Sequence, residues 1–258
     1  MAFKSISSED LGLSFNTSLS ANFKSMYDKI VYEKYKAMEE SKPSQNFAPS
    51  SFRCDRLSFF RLRGVDPDEV VDVNVGLDFA AMLGTACHLE IQSNLKNSIG
   101  DQWVDVEEYL KVKNISHPYE IVRKTEFETN IQFLNPPVKF SCDGIIKLNG
   151  KYYLLEIKTS EHQSFKTLRE PKSQHIDQIK CYCSLLELND AIVLYQDRLY
   201  GETKCYELHV ADYEMRDIFA RMENVMEYVK KNIAPPRLDS TDYWCVYCKY
   251  TKRCKQWG

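Results

Sequence analysis

Asn149-Gly150 constrains this chain more than any other pair of residues. An Asn-Gly step between two apolar runs is the strongest short hairpin signal a sequence offers, because both turn positions need positive φ. The runs here are 139–148 and 151–159. Counting outward from the turn, Leu148 faces Lys151, Lys147 faces Tyr152, and Gly144 faces Leu155. The next pair is Asp143 against Glu156; a bulge would shift it. Directly paired residues point to one face with Cβ atoms roughly 4.5–5.5 Å apart, and two carboxylates so placed repel each other. A divalent cation removes that penalty, because hard cations take several oxygen ligands on one side. Lys158 lies two residues beyond Glu156 and projects to the same face, while Ile157 points to the other. Ile145 and Leu154 flank the charged group. The bland reading is a solvent-facing polar stripe, and one pair alone does not outweigh it.

The rest of the chain places this hairpin in an α/β core. Phe23, Met26, Tyr27, Ile30, Val31, Tyr35 and Met38 recur at helical spacing and predict a helix over 18–41. Ser50 or Ser51 can cap a short helix carrying Cys54, Arg56, Phe59 and Phe60. Residues 66–72 are acidic and turn-like. Leu77, Phe79, Ala80, Leu83, Ala86, Leu89 and Ile91 predict a mostly buried helix over 76–96. Residues 100–124 carry no clear pattern. Phe127, Thr129, Ile131 and Phe133 alternate as a strand until Asn135-Pro136-Pro137 breaks it. A helix over 174–188, strands over 191–196 and 204–210, and an amphipathic helix over 212–231 complete the core before Pro235-Pro236. Helices flanking a central run of strands indicate an α/β fold.

Composition sets the class of protein. The chain has 258 residues, 43% hydrophobic and 28% charged, so it can bury a sizeable core and is not a disordered tail. No apolar run follows a basic start, and no stretch of about 18 apolar residues exists, so neither a secretory signal nor a membrane span is expected. Nine cysteines in such a chain suggest a reducing, cytoplasmic setting in which clustered thiols mean metal. The net charge of −3 argues weakly against a general nucleic-acid coat and says nothing of local patches.

Two further elements join the hairpin. Gly84-Thr85-Ala86-Cys87-His88 sets a histidine in an otherwise apolar helix, and Gln178 and Tyr182 stand four apart on the helix after the hairpin. Each alone is ordinary. In order they resemble the PD-(D/E)XK nuclease superfamily, in its RecB-like branch. The matching residues are His88, Asp143, Glu156-Ile157-Lys158 and Gln178 to Tyr182, with Cys142 where the superfamily name has proline. The resemblance implies a restriction-endonuclease-like core, a mixed central sheet flanked by helices. It implies Mg²⁺ or Mn²⁺ held by Asp143, Glu156, the main-chain carbonyl of Ile157 and His88, whose imidazole makes Mn²⁺ credible. Lys158 would orient a water or stabilise developing charge, and Gln178 and Tyr182 would position that water or the DNA backbone. Glu126, on the preceding strand, is a further candidate.

The tail reads Cys245-x2-Cys248-x5-Cys254, and Cys54 lies far upstream. Four thiolates hold either zinc or an iron–sulfur cluster. One distant cysteine plus three in the tail is an uncommon zinc pattern. It resembles the iron–sulfur nucleases of the same branch, the AddB nuclease domain and the CRISPR-associated adaptation nucleases, over about residues 50–254. That implies a [4Fe-4S] cluster joining the N- and C-terminal segments, with zinc the lesser alternative. Cys87, Cys142, Cys181, Cys183 and Cys205 read as small core hydrophobes. Arg53, Arg56, Arg61, Arg63, Lys249, Lys252, Arg253 and Lys255 would first compensate the cluster charge and second contact phosphates; Tyr243, Trp244, Tyr247 and Tyr250 would first bury it and second stack on bases. Lys166, Arg169, Lys172 and Lys180 form a second basic stretch.

The expected organisation is an N-terminal helical region (1–48), a nuclease core (49–234) and a cysteine-rich tail (235–258). The expected activity is metal-dependent hydrolysis of DNA at ends or in single strands, in recombination, end processing or spacer acquisition. The alternative is an iron–sulfur-stabilised DNA-end-binding module with a vestigial nuclease site. No G-x-x-x-x-G-K-[ST] loop occurs, so any helicase would be a partner protein.

Overall fold

Asn149 and Gly150 both take left-handed backbone, at φ 50° and 81°. The pairing that follows runs from Leu148–Lys151 through Ile145–Leu154 to Gly144–Leu155. The computed structural model describes residues 19–39, 44–68, 75–239, 241–246 and 248–257. Its helices are α1 (Leu19–Glu39), α2 (Asp55–Leu62), α3 (Val75–Ile99), α4 (Val106–Lys113), α5 (His162–Thr167), α6 (Ser173–Leu186), α7 (Asp212–Lys231), α8 (Tyr243–Val246) and α9 (Thr251–Gln256). Its strands are β1 (Trp103–Val104), β2 (Tyr119–Lys124), β3 (Thr129–Leu134), β4 (Pro137–Cys142), β5 (Gly144–Leu148), β6 (Lys151–Ser160), β7 (Asp190–Asp197) and β8 (Thr203–His209).

The larger sheet has the order β1-β5-β6-β7-β8. Its β6–β7 pair is parallel and its other pairs are antiparallel, so the sheet is mixed. Parallel neighbours need a crossover, which α5 and α6 supply. Strands β2, β3 and β4 form a separate antiparallel sheet. The protein is therefore α/β, a mixed central sheet flanked by helices. Ile145, Leu154, Ile157 and Val193 are fully buried with Ile179 and Leu185 of α6, and Tyr109 of α4 donates its hydroxyl hydrogen to the Leu186 carbonyl at 3.0 Å.

The structure departs from the sequence reading at the point that matters most. Residues 139–148 are not one strand. Cys142 pairs with Thr129 in the smaller sheet, while Gly144 pairs with Leu155 in the larger one. Asp143 is the residue between, where the chain passes from one sheet to the other. A Cβ on Gly144 would stand 2.8 Å from the Trp103 ring, so only glycine lets β1 close over the strand at this crossing.

Other differences have simple causes. Helix α3 is not mostly buried: Phe79 and Leu89 are 50% and 45% exposed, although β6, β1, α1 and the turn over 100–102 pack against the helix. Residues 100–124 hold a two-residue strand, a short helix and a polar edge strand, too brief or too charged for a periodic signal. Neither Ser50 nor Ser51 caps α2. They form a 3₁₀ turn, and Cys54 occupies the N-cap position in extended backbone. Cys205 is exposed and Cys87 half-buried, so only Cys142, Cys181 and Cys183 of the expected core thiols are buried. Glu126 is in a turn rather than a strand, faces solvent, and pairs with Lys96 at 3.7 Å. The turn expected over 66–72 is described to Asp68. Tyr247 and the side chains of Met38, Leu77 and Tyr243 lie outside the described residues.

The segment after α7 packs against α2. Tyr250 stacks on Phe60 with ring centres 5.4 Å apart, and Trp257 sets its edge against Phe59 and Phe60. Arg56, buried, donates to the carbonyls of Pro235 at 2.8 Å, Cys254 at 3.3 Å and Trp257. Arg221 of α7 pairs with Asp55 at 2.6 Å. No helix among the described residues is long and apolar enough to cross a membrane.

Candidate active site

The sheet crossing frees Asp143 from ladder pairing, and its carboxylate turns toward β6. Oδ2 accepts the Ile157 N–H at 2.7 Å, and Oδ1 lies 3.2 Å from Nδ1 of His88. His88 reaches this point because α3 passes close over β6: a Cβ on Gly84, one turn earlier, would lie 3.4 Å from Oγ1 of Thr159. Gln92 is one turn later on the same face. It is fully buried, and its Nε2 donates to the main-chain carbonyl of Asp143 at 2.7 Å. One helix thus holds Asp143 twice, by side chain and by main chain. The sequence reading missed Gln92; its i,i+4 spacing from His88 was the available signal.

Alternation on β6 sends Glu156 and Lys158 to one face and Ile157 into the core. Lys158 Nζ donates to Glu156 Oε1 at 2.5 Å and to Gln178 Oε1 at 3.1 Å. Gln178 Nε2 in turn donates to the Tyr182 hydroxyl at 2.7 Å. The residues proposed for the site, Glu126 excepted, therefore join one of two contact chains: His88–Asp143–Ile157, and Glu156–Lys158–Gln178–Tyr182. Glu126 joins neither.

Electrostatics tie the two chains together. Burial, and then the nearby Asp143 carboxylate, push the Glu156 carboxyl up to about 7, against the pull of Lys158 and His88. A carboxylate held there is destabilised by lost hydration and by a like charge, the condition a divalent cation relieves. The donor set of two carboxylates and an imidazole suits Mg²⁺ or Mn²⁺. Beside it, burial and then the charges of Lys158 and Lys172 push His175 down to about 3. His175 is therefore neutral, with Nδ1 2.6 Å from the Tyr195 hydroxyl.

Cys54, Cys245, Cys248 and Cys254 line one cavity of about 670 Å³, together with Arg53, Arg56 and Trp244. Burial, and then the other three thiols, push Cys248 up to about 11. Cys54 is raised chiefly by burial, with Cys254 and Cys245 adding to it. The donor set thus suits a group that takes thiolates and brings positive charge with it. Among the described residues, no three His, Cys, Asp or Glu side chains are gathered tightly enough to hold a metal ion as they stand.

No protein-family model matches this chain, and no curated protein matches it either. Among solved structures, the protein SSO0001 is similar with a TM-score of 0.50 and 21% identity, over 92% of this chain and 99% of that one. This likeness is one of fold. An alkaline exonuclease from Laribacter hongkongensis (LHK-Exo) gives a TM-score of 0.44 at 14% identity, over 78% of this chain and 93% of that one. Its complex with dAMP gives 0.37 at the same identity.

Proposed function

We propose that the chain is a metal-dependent deoxyribonuclease of the PD-(D/E)XK type, RecB-like branch, acting on DNA ends or single strands. The observation that carries this reading is the meeting of four separate segments. His88 from α3, Asp143 at the sheet crossing, Glu156 and Lys158 from β6, and Gln178 and Tyr182 from α6 form two contact chains linked by the Asp143–Glu156 repulsion.

Asp143, Glu156, His88 and the Ile157 carbonyl would hold Mg²⁺ or Mn²⁺, which when bound polarises a phosphate and lowers the pKa of a ligated water. Lys158 has three N–H donors. Two go to Glu156 and Gln178, and the third is left to orient the attacking water or to stabilise charge on the phosphoryl oxygens. Gln178 fixes the Lys158 ammonium, and Tyr182 fixes Gln178. Cys54, Cys245, Cys248 and Cys254 would hold a [4Fe-4S] cluster that fastens the tail, with Arg53 and Arg56 offsetting its charge; zinc is the lesser alternative. A helicase or recombination protein would supply any ATP-driven unwinding.

Lys158→Ala and Glu156→Ala are expected to abolish Mn²⁺-dependent degradation of labelled DNA while binding, read by fluorescence anisotropy, persists. Wild-type protein that binds DNA ends yet leaves them intact with both Mg²⁺ and Mn²⁺ is a binding module with a vestigial site.

A further inference from the structure

The parallel strands β6 and β7 end together, with Ser160 beside Asp197. In open α/β sheets, ligands approach outside the carboxyl ends of such strands. Lys158 lies beside Tyr195, one step earlier on the same face, so this end is only roughly 7 Å farther along the strand at about 3.3 Å per residue.

The turn leaving β7 is held from several sides. Asp197 is buried. Its N–H donates to the Glu202 carbonyl at 2.8 Å, its carbonyl accepts from Gly201 N–H at 2.9 Å, and Arg198 N–H donates to the Ser160 carbonyl at 3.0 Å. Its carboxylate takes the Leu199 N–H at 3.0 Å and lies 2.6 Å from His162 Nδ1. Gly201, at φ 72°, closes the turn.

This fixed turn holds two large apolar side chains out in water. Leu199 is 63% and Tyr200 67% exposed. Tyr200 is not loose, because its ring stands edge-on to His162 with centres 4.8 Å apart. The Arg198 side chain is exposed beside them. An aromatic ring propped by an imidazole that a buried carboxylate holds, next to an exposed guanidinium, has the chemistry of a stacking surface with a phosphate contact.

We propose that the 198–200 turn is a nucleotide-binding subsite: Tyr200 stacks on a base of the DNA strand beyond the carboxyl ends of β6 and β7, with Leu199 packing beside it and Arg198 on a phosphate. His162 and Asp197 are positioning residues that set the Tyr200 ring. The subsite rests on the nuclease reading for its strand, and it names the substrate class that site takes, an unpaired single strand.

The test is binding in EDTA, where no cleavage occurs, with a fluorescein-labelled oligothymidine and with strands carrying 2-aminopurine at successive positions from the end. Stacking on Tyr200 quenches 2-aminopurine at one defined position. Tyr200→Ser is expected to remove that quench and weaken binding roughly 5- to 100-fold, and Tyr200→Phe to keep both. Val112→Ser, at a 68% exposed site on α4, is the control for loss of any exposed apolar residue. Equal affinity and equal quench in wild type and Tyr200→Ser overturn the subsite, as does wild type that does not bind the strand. A parallel digestion with Mn²⁺ separates the two claims. Cleavage with no Tyr200 effect removes the subsite alone, whereas a Tyr200-dependent quench without cleavage supports the subsite and removes the nuclease reading.

Discussion

Replacing Glu156 by Gln is expected to stabilise the metal-free protein while abolishing its chemistry. Glu156 is buried beside Asp143, and the fold drives its carboxyl from 4.5 to about 7. At ~1.36 kcal/mol per pH unit this is about 3 kcal/mol against the ionised form. The sign follows from the raised value. The folded state holds the proton more tightly than the unfolded chain, so the favourable contribution is complete below pH 4.5 and is lost as pH rises through about 7. Glutamine copies the protonated carboxyl at every pH. The stability gained by Glu156→Gln should therefore be near zero at pH 4 and grow to about 3 kcal/mol by pH 8. Lys158 still finds an acceptor in the Gln carbonyl and in Gln178. Urea unfolding in EDTA, from pH 4 to pH 8, reads this difference. Mn²⁺ then separates the proteins in the opposite direction, since a bound ion stabilises only the chain that holds it, by about 2.7 kcal/mol at one hundred times its dissociation constant. A Glu156→Gln protein less stable than wild type at pH 8, or a difference that does not vary with pH, refutes the reasoning.

Other outcomes follow from the same geometry. His175 is pushed down to about 3, so its neutral form contributes stability above pH 6.5 that is lost as pH falls toward 3; His175→Asn should flatten the acid side of a melting-temperature profile. Gln92→Leu leaves the Asp143 carbonyl without its donor. It should cost about 1–3 kcal/mol in urea unfolding and weaken Mn²⁺ binding in calorimetry. Arg56→Ala strips the donor from three tail carbonyls, so hydrogen exchange over 245–257 should accelerate while β6 and β7 stay protected. Anaerobic purification should give a brown protein absorbing at roughly 400 nm, with iron and sulfide bound; a colourless protein with one zinc assigns the four thiols to zinc instead.

Much of the site was legible because one turn fixes it. Asn149-Gly150 dictates the register as far as Gly144–Leu155, Asp143 follows at the crossing and meets the Ile157 N–H, and strand alternation brings Lys158 to Glu156. What was not legible has a physical cause in each case. The sheet crossing at Asp143 depends on where β3 and β1 lie, and pairing partners far along the chain leave no local trace in residues 139–148. Gln92 carries one sequence signal, its i,i+4 spacing from His88, which a surface glutamine could share until α3 is docked on β6. The burial of α3 was overestimated because apolar residues spread around a helix signal burial only if neighbours cover every side, and here one side is covered. Cys205 was misplaced for the same reason, on an edge strand with one face open.

Digestion of end-labelled single- and double-stranded DNA by anaerobically prepared protein, with Mg²⁺ or Mn²⁺ and with Lys158→Ala alongside, tests the nuclease reading most directly. Progressive shortening from an end with wild type, absent in EDTA and absent in Lys158→Ala, is the predicted result. Intact DNA under every metal condition, or equal degradation by wild type and Lys158→Ala, contradicts it.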